Sequence, residues 1–137
     1  MKNRSLTSDY LLRAKARLKA LKVLFEENSY ADVVRESQEI VELVSKALVR
    51  HLGADPARIH DVGDQLRELQ NRVVPDKHDA LTRLIAASKD LRRDRELSFY
   101  GAEDLTPTEF YSKADAELAM KYAEDGYKVV TEIVQGK

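Results

Sequence analysis

The chain has 137 residues and no cysteine, with 23 lysines and arginines against 24 aspartates and glutamates for a net charge of -1. That length suits one domain over residues 1–137, able to bury roughly two thirds of its unfolded surface without a disulfide or metal. The missing thiols exclude cysteine nucleophiles, disulfides and cysteine-ligated zinc. No apolar run reaches about 18 residues, and the polar start Met1-Lys2-Asn3-Arg4-Ser5 is no signal segment. The chain therefore reads as a soluble cytoplasmic protein with no membrane span.

In chain order, Leu11, Ala14, Leu18, Leu21 and Phe25 recur at alternating three- and four-residue steps, the period of one helix face. Thr7, Ser8 or Asp9 is expected to cap this first helix, which runs to about Glu27. Asn28-Ser29 then leaves room only for a tight turn, so the second helix, Tyr30 to about Leu52, lies antiparallel to the first. Its stripe is Ser37, Val41, Val44 and Leu48, and Gly53 followed by Asp55-Pro56 ends it. After a loop to His60, Asp61 caps a shorter helix through about Arg72, and Pro75-Asp76 breaks and restarts the chain.

The next long helix begins at Lys77 and ends between Arg95 and Phe99. Its stripe of Leu81, Leu84, Ser88 and Leu91 places Arg95, not a hydrophobe, at the next inward position. A guanidinium there needs a partner, because a buried unpaired charge is costly. Gly101 to Leu105 is irregular, Thr106-Pro107-Thr108-Glu109 has the form of a capping box, and Ser112 caps the last helix to about Val134. In that helix Ala116, Ala119, Ala123 and Gly126 admit a neighbouring backbone closely, which suggests a central position. No alternating strand pattern occurs. The expected fold is all-α: an antiparallel up-and-down four-helix bundle with one short additional helix.

Charge is distributed unevenly. Residues 1–25 carry seven lysines and arginines against Asp9 alone, whereas residues 96–137 carry nine acids against four lysines. Lys15, Lys19 and Lys22 share one side of the first helix and Arg13 and Arg17 another, either a solvated face or a phosphate-attracting ridge. On the second helix Arg35, Glu39, Glu42, Lys46 and Arg50 follow helical spacing. They form a ladder of ion pairs or, facing a cleft with Arg95, a polar site for phosphate or nucleotide. Arg92 and Arg93 suit a helix C-terminus, and His60 beside Asp61 suits a loop-fixing position. Phe99, Tyr100, Phe110 and Tyr111 bracket the loop after the fourth helix and either pin it or form a partner-binding patch. There is no glycine-rich phosphate loop, no histidine pair at metal spacing and no Ser/His/Asp pattern, so no metal or cofactor is expected.

Several strings in order carry a family likeness: Asp9-Tyr10-Leu11-Leu12-Arg13-Ala14-Lys15, Asn28-Ser29-Tyr30-Ala31-Asp32, Gln38-Glu39-Ile40-Val41-Glu42, Lys46-Ala47-Leu48 and Ile59-His60-Asp61-Val62. Arg95-Glu96-Leu97-Ser98-Phe99-Tyr100 and Tyr111-Ser112-Lys113-Ala114-Asp115-Ala116 complete it. Over about residues 7 to 134 the chain resembles the HEPN family of small helical proteins. The resemblance implies a helical bundle that commonly dimerises around a cleft. It also implies either a metal-independent ribonuclease or the companion of a minimal nucleotidyltransferase in a two-gene toxin–antitoxin module.

Nuclease members carry an arginine, four to six residues, then a histidine near the end of the penultimate long helix. Arg95 matches the first position, but no histidine follows His78, and Tyr100 stands where the histidine would fall. Attack by a ribose 2′-hydroxyl needs proton transfer near neutral pH, which histidine supplies, and stabilisation of a charged phosphorane, which arginine supplies. Tyrosine, with a pKa near 10, is a poor base at pH 7 but can donate a proton. The Arg72 to His78 spacing also fits the pattern, but it straddles Pro75 and precedes the wrong helix.

The resemblance makes Arg95 and Tyr100 the catalytic candidates. Arg35, Lys46, His60, Arg92 and Arg95 are the candidates for a nucleotide or phosphate. The reading is a homodimeric nucleotide- or RNA-associated component beside a nucleotidyltransferase partner. A ribonuclease using Arg95 and Tyr100 and a purely structural interaction domain are its alternatives.

Overall fold

A computed structural model describes the backbone of residues 5–56, 61–100 and 106–136, and side chains within them except over 94–100. Among the described residues there are six α-helices: α1 (Leu6–Glu26), α2 (Tyr30–His51), α3 (Val62–Glu68), α4 (His78–Tyr100), α5 (Pro107–Phe110) and α6 (Lys113–Gln135). Two 3-10 turns, Gln70–Arg72 and Pro75–Lys77, lie between α3 and α4.

This corrects the expected four-helix bundle with one short additional helix; only its all-α character stands. Two local causes are visible. Thr106 caps one helix through the Glu109 amide and Ser112 caps the next, so the five residues between the caps allow a single turn, α5, before Tyr111 goes extended. Upstream, Leu69 leaves helical geometry and tightens the chain into 3-10 form, so α3 stops at Glu68 rather than Arg72. Val73 and Val74 are then extended, as a residue before proline must be for Val74.

Packing departs from a simple bundle as well. Twelve of the 22 residues of α2 are buried, against six of 23 in α6 and two of 21 in α1, so α2 rather than the last helix is the hub. It packs extensively on α1, α4 and α6, while α4 meets α6 only lightly. Small side chains explain the choice. Ala116, Ala119, Ala123 and Gly126 are buried, and a Cβ built on Gly126 would lie 3.5 Å from Val44 and 3.1 Å from Leu84. With α2 and α6 drawn together, α1 and α4 are left on the flanks. Ile40, Val41, Val44, Leu48, Leu66, Leu81 and Val130 fill the centre.

Helix ends follow side-chain chemistry. Ser5, not Thr7, Ser8 or Asp9, caps α1, its hydroxyl accepting from the Ser8 amide at 3.1 Å. Asn28 makes the α1–α2 turn in the left-handed region (φ 60), which asparagine tolerates better than most residues. Ser29 precedes α2 without capping it; its hydroxyl donates to Asp32 at 2.6 Å. Gly53 takes φ 90 after α2, and the Ala54 amide reaches back to the Val49 carbonyl at 3.1 Å.

The strongest cap is on α6. Ser112 accepts from the Asp115 amide at 3.3 Å, and Asp115 accepts from the Ser112 amide at 2.8 Å, a reciprocal capping box. Ser112→Ala is expected to lower stability by about 1 kcal/mol, as read by urea denaturation. A loss near zero would show that Asp115 alone holds this end. No helix among the described residues is long and apolar enough to cross a membrane.

Candidate functional site

The polar ladder of α2 meets α4 at Glu42. Arg35, Glu39, Glu42 and Lys46 succeed one another at helical spacing and are all half-buried. Arg35 pairs with Glu39 at 3.8 Å, and Lys46 pairs with Glu42 at 3.8 Å. The Glu42 carboxylate also accepts from Arg92 of α4 at 3.5 Å and from the Gln38 amide at 3.4 Å. Two candidate cations, Lys46 and Arg92, therefore converge from different helices on one carboxylate. Their long contacts and partial exposure leave them accessible to an incoming anion. Gln38 is 2 % exposed, and its carbonyl oxygen has no hydrogen-bond partner.

The other candidates divide plainly. Arg35 is on the same line but about 16 Å along the axis from Lys46, at 1.5 Å per residue, so it belongs to the ladder's far end. Arg50 leaves the ladder and pairs with Asp55 at 3.6 Å. Arg93 pairs with Asp90 within its own helix at 3.3 Å. The backbone of Arg95 and Tyr100 is helical, in α4, but their side chains lie outside the described residues, as does all of His60. Glu42 is engaged by Arg92, one turn before Arg95.

The Arg72–His78 coincidence has a structural use. Arg72 donates to the Leu52 carbonyl at 2.8 Å, and a His78 ring nitrogen lies 2.8 Å from the Val73 carbonyl. Tyr111 is buried while its neighbour Phe110 is 43 % exposed, so one of the loop aromatics pins the chain and the other does not. The side chains of Phe99 and Tyr100 lie outside the described residues.

Sequence reasoning missed two contacts that position α4. Lys89 bridges Asp64 at 2.7 Å and Asp61 at 3.3 Å, tying α3 to α4. Its bond to Asp64 outweighs desolvation and holds the ammonium pKa above its ordinary 10.5. Asp61 also accepts from the Gly63 amide at 2.8 Å, so one carboxylate both caps α3 and anchors α4. Tyr122 of α6 donates to Asp90 of α4 at 3.0 Å, and burial followed by that bond raises its pKa above 10.0. The signal for Lys89 was weak, since nothing in one sequence relates Asp61 to a lysine 28 residues later. A groove of about 970 Å³ lies between α4 and α6, over Leu84, Ala87, Gly126 and Val129, and is separate from the α2/α4 face. Among the described residues no group of three histidine, aspartate or glutamate side chains could hold a metal ion.

The described helices make this an all-α domain with a charged contact between its hub helix and α4. The chain belongs to the HEPN domain family, which it matches over residues 7–133. It is similar to a protein of Methanocaldococcus jannaschii named "Putative toxin MJ1304", with 30% identity over 134 residues, 93% of this chain and 88% of that protein. No solved structure gives a significant match.

Proposed function

We propose that this chain is the toxin-like component of a two-component module of the cytoplasm. In this reading it is a homodimeric single HEPN domain that engages RNA or a nucleotide through the α2/α4 face and works beside a minimal nucleotidyltransferase. The convergence of Lys46 and Arg92 on Glu42, with Arg95 on the next turn of α4, carries this reading. The name of the Methanocaldococcus jannaschii relative and the HEPN membership support it.

Phosphate recognition needs exposed cations held in place without being neutralised beyond recovery. Contacts of 3.5 to 3.8 Å at a partly exposed carboxylate meet that condition. Cleavage is the part of the family's chemistry for which this chain is least equipped. An arginine at position 95 is of the type that stabilises a phosphorane, but no histidine follows His78 to move protons at neutral pH.

The test is incubation of the purified protein with a mixed RNA pool, alongside Arg95→Ala and Tyr100→Phe proteins prepared identically. The expected result is RNA binding with no turnover above the level shared by all three. Turnover lost in Arg95→Ala and reduced in Tyr100→Phe, with both folded, would replace this reading with that of a ribonuclease. A dimer indifferent to RNA and to nucleotides would leave a structural interaction domain.

A further inference from the structure

We propose that the outward face of α1 is a docking surface for an acidic amphipathic helix of a partner protein, independently of the α2/α4 face. The inner side of α1 is accounted for. Ala14 and Leu21 are fully buried, and Leu11, Leu18 and Phe25 pack partly against the core. At about 100° per residue, Leu12, Ala16, Ala20 and Val23 fall within an arc of roughly 80° on the opposite side. Leu12 is 52 % exposed and Val23 60 % exposed, and the two alanines between them are exposed. The strip runs about 16 Å along the axis, three turns of helix.

One edge of the strip is lined by Lys15, Lys19 and Lys22, spaced four and three residues apart. All three are exposed, and none pairs with a carboxylate among the described residues. The two arginines of the helix differ, for Arg17 pairs with Glu36 at 2.6 Å and Arg13 with Asp9 at 3.9 Å. An apolar strip beside unpaired cations at helical spacing is complementary to a second helix with the reverse pattern. That helix carries leucine or valine on one line and carboxylates at matching steps beside it. The apolar line provides buried area and the charges fix register.

Other occupants fit less well. Nucleic acid would use the lysines but gains nothing from Leu12 and Val23, and no exposed aromatic ring stands in the strip for a base to stack on. A membrane surface would need a broader apolar face than two large side chains and two alanines.

The experiment is a fluorescence anisotropy titration of the full chain with a labelled synthetic helix of three to four turns bearing leucine on one line and glutamate beside it. Its controls are the glutamine version of the peptide, a single-stranded RNA and phosphatidylserine vesicles. The glutamate peptide is expected to bind. Its affinity should fall at least about tenfold for Leu12→Gln/Val23→Gln and for Lys15→Glu/Lys19→Glu/Lys22→Glu, with unchanged circular dichroism. A lysine version of the peptide should bind the triple-glutamate protein, a rescue that misfolding cannot imitate. Failure of the peptide to bind, or binding that survives both sets of substitutions, overturns the proposal. So does tighter capture by RNA or vesicles that depends on the lysines and not on Leu12 and Val23. Self-association of the wild type abolished by Leu12→Gln/Val23→Gln would assign the face to a second copy and likewise overturn it.

Discussion

Gly126→Val is expected to cost the fold about 2 to 3 kcal/mol, a fall in melting temperature of roughly 10 °C. A Cβ at this position already sits 3.1 Å from a terminal methyl of Leu84 and 3.5 Å from one of Val44. Two further methyls would have to enter the seam where α2, α4 and α6 meet, between side chains that are themselves buried. The opposing gain is small, because valine improves helix propensity over glycine by only a few tenths of a kcal/mol.

Gly126→Ala separates close packing from mere flexibility. Alanine recovers about 1 kcal/mol of helix propensity, and its single methyl meets the movable end of Leu84. It should therefore fall within about 1 kcal/mol of the wild type. Thermal denaturation of the two variants reads the difference. Similar stabilities for valine and alanine would mean that α6 can move off α2 at little cost, and the close approach would lose its role in setting the architecture.

The same glycine shows what one sequence discloses. Its place on the stripe with Ala116, Ala119 and Ala123 announces a close contact, because small residues at helical spacing have no better explanation. The stripe does not say which helix comes close. That choice depends on how each helix is rotated about its own axis, and here the α2–α6 approach made α2 the hub. Helix ends with one strong signal were legible: Gly53 after α2, Asp61 before α3, Ser112 before α6. The start of α1 was not, since Ser5, Thr7, Ser8 and Asp9 are all capping types and their order in the sequence does not rank them. The helix α5 was hidden because two caps so close together read equally well as one entry to α6. At the candidate site the ladder on α2 could be read, but not the partner. That Arg92 reaches Glu42 depends on the α2/α4 offset, which periodicity does not encode.

That offset leads to a prediction with opposite signs at neighbouring residues. Glu42→Gln is expected to raise affinity for single-stranded RNA several-fold, while the Lys46→Ala/Arg92→Ala double substitution lowers it by more than about tenfold. In the proposed reading Glu42 competes with phosphate for the same two cations, which it meets at 3.8 Å (Lys46) and 3.5 Å (Arg92). The raw attraction of such charges is about 4 kcal/mol at an intermediate dielectric, yet partly exposed pairs contribute only about 0 to 1 kcal/mol net. The pairs are thus strong enough to hold the cations in place and weak enough to exchange. Glutamine keeps the length and hydrogen-bonding capacity of Glu42 but removes its charge, so the stability loss should stay under about 1 kcal/mol. Loss of both cations should also flatten the dependence of affinity on salt by about 1.4 log units per log unit, the slope for two single-strand phosphate contacts. Anisotropy titrations with labelled RNA across a salt series measure both effects. If the cluster only braces α2 against α4, Glu42→Gln and the double substitution would each weaken the fold and leave RNA affinity where it was, and the α2/α4 face would cease to be the binding site.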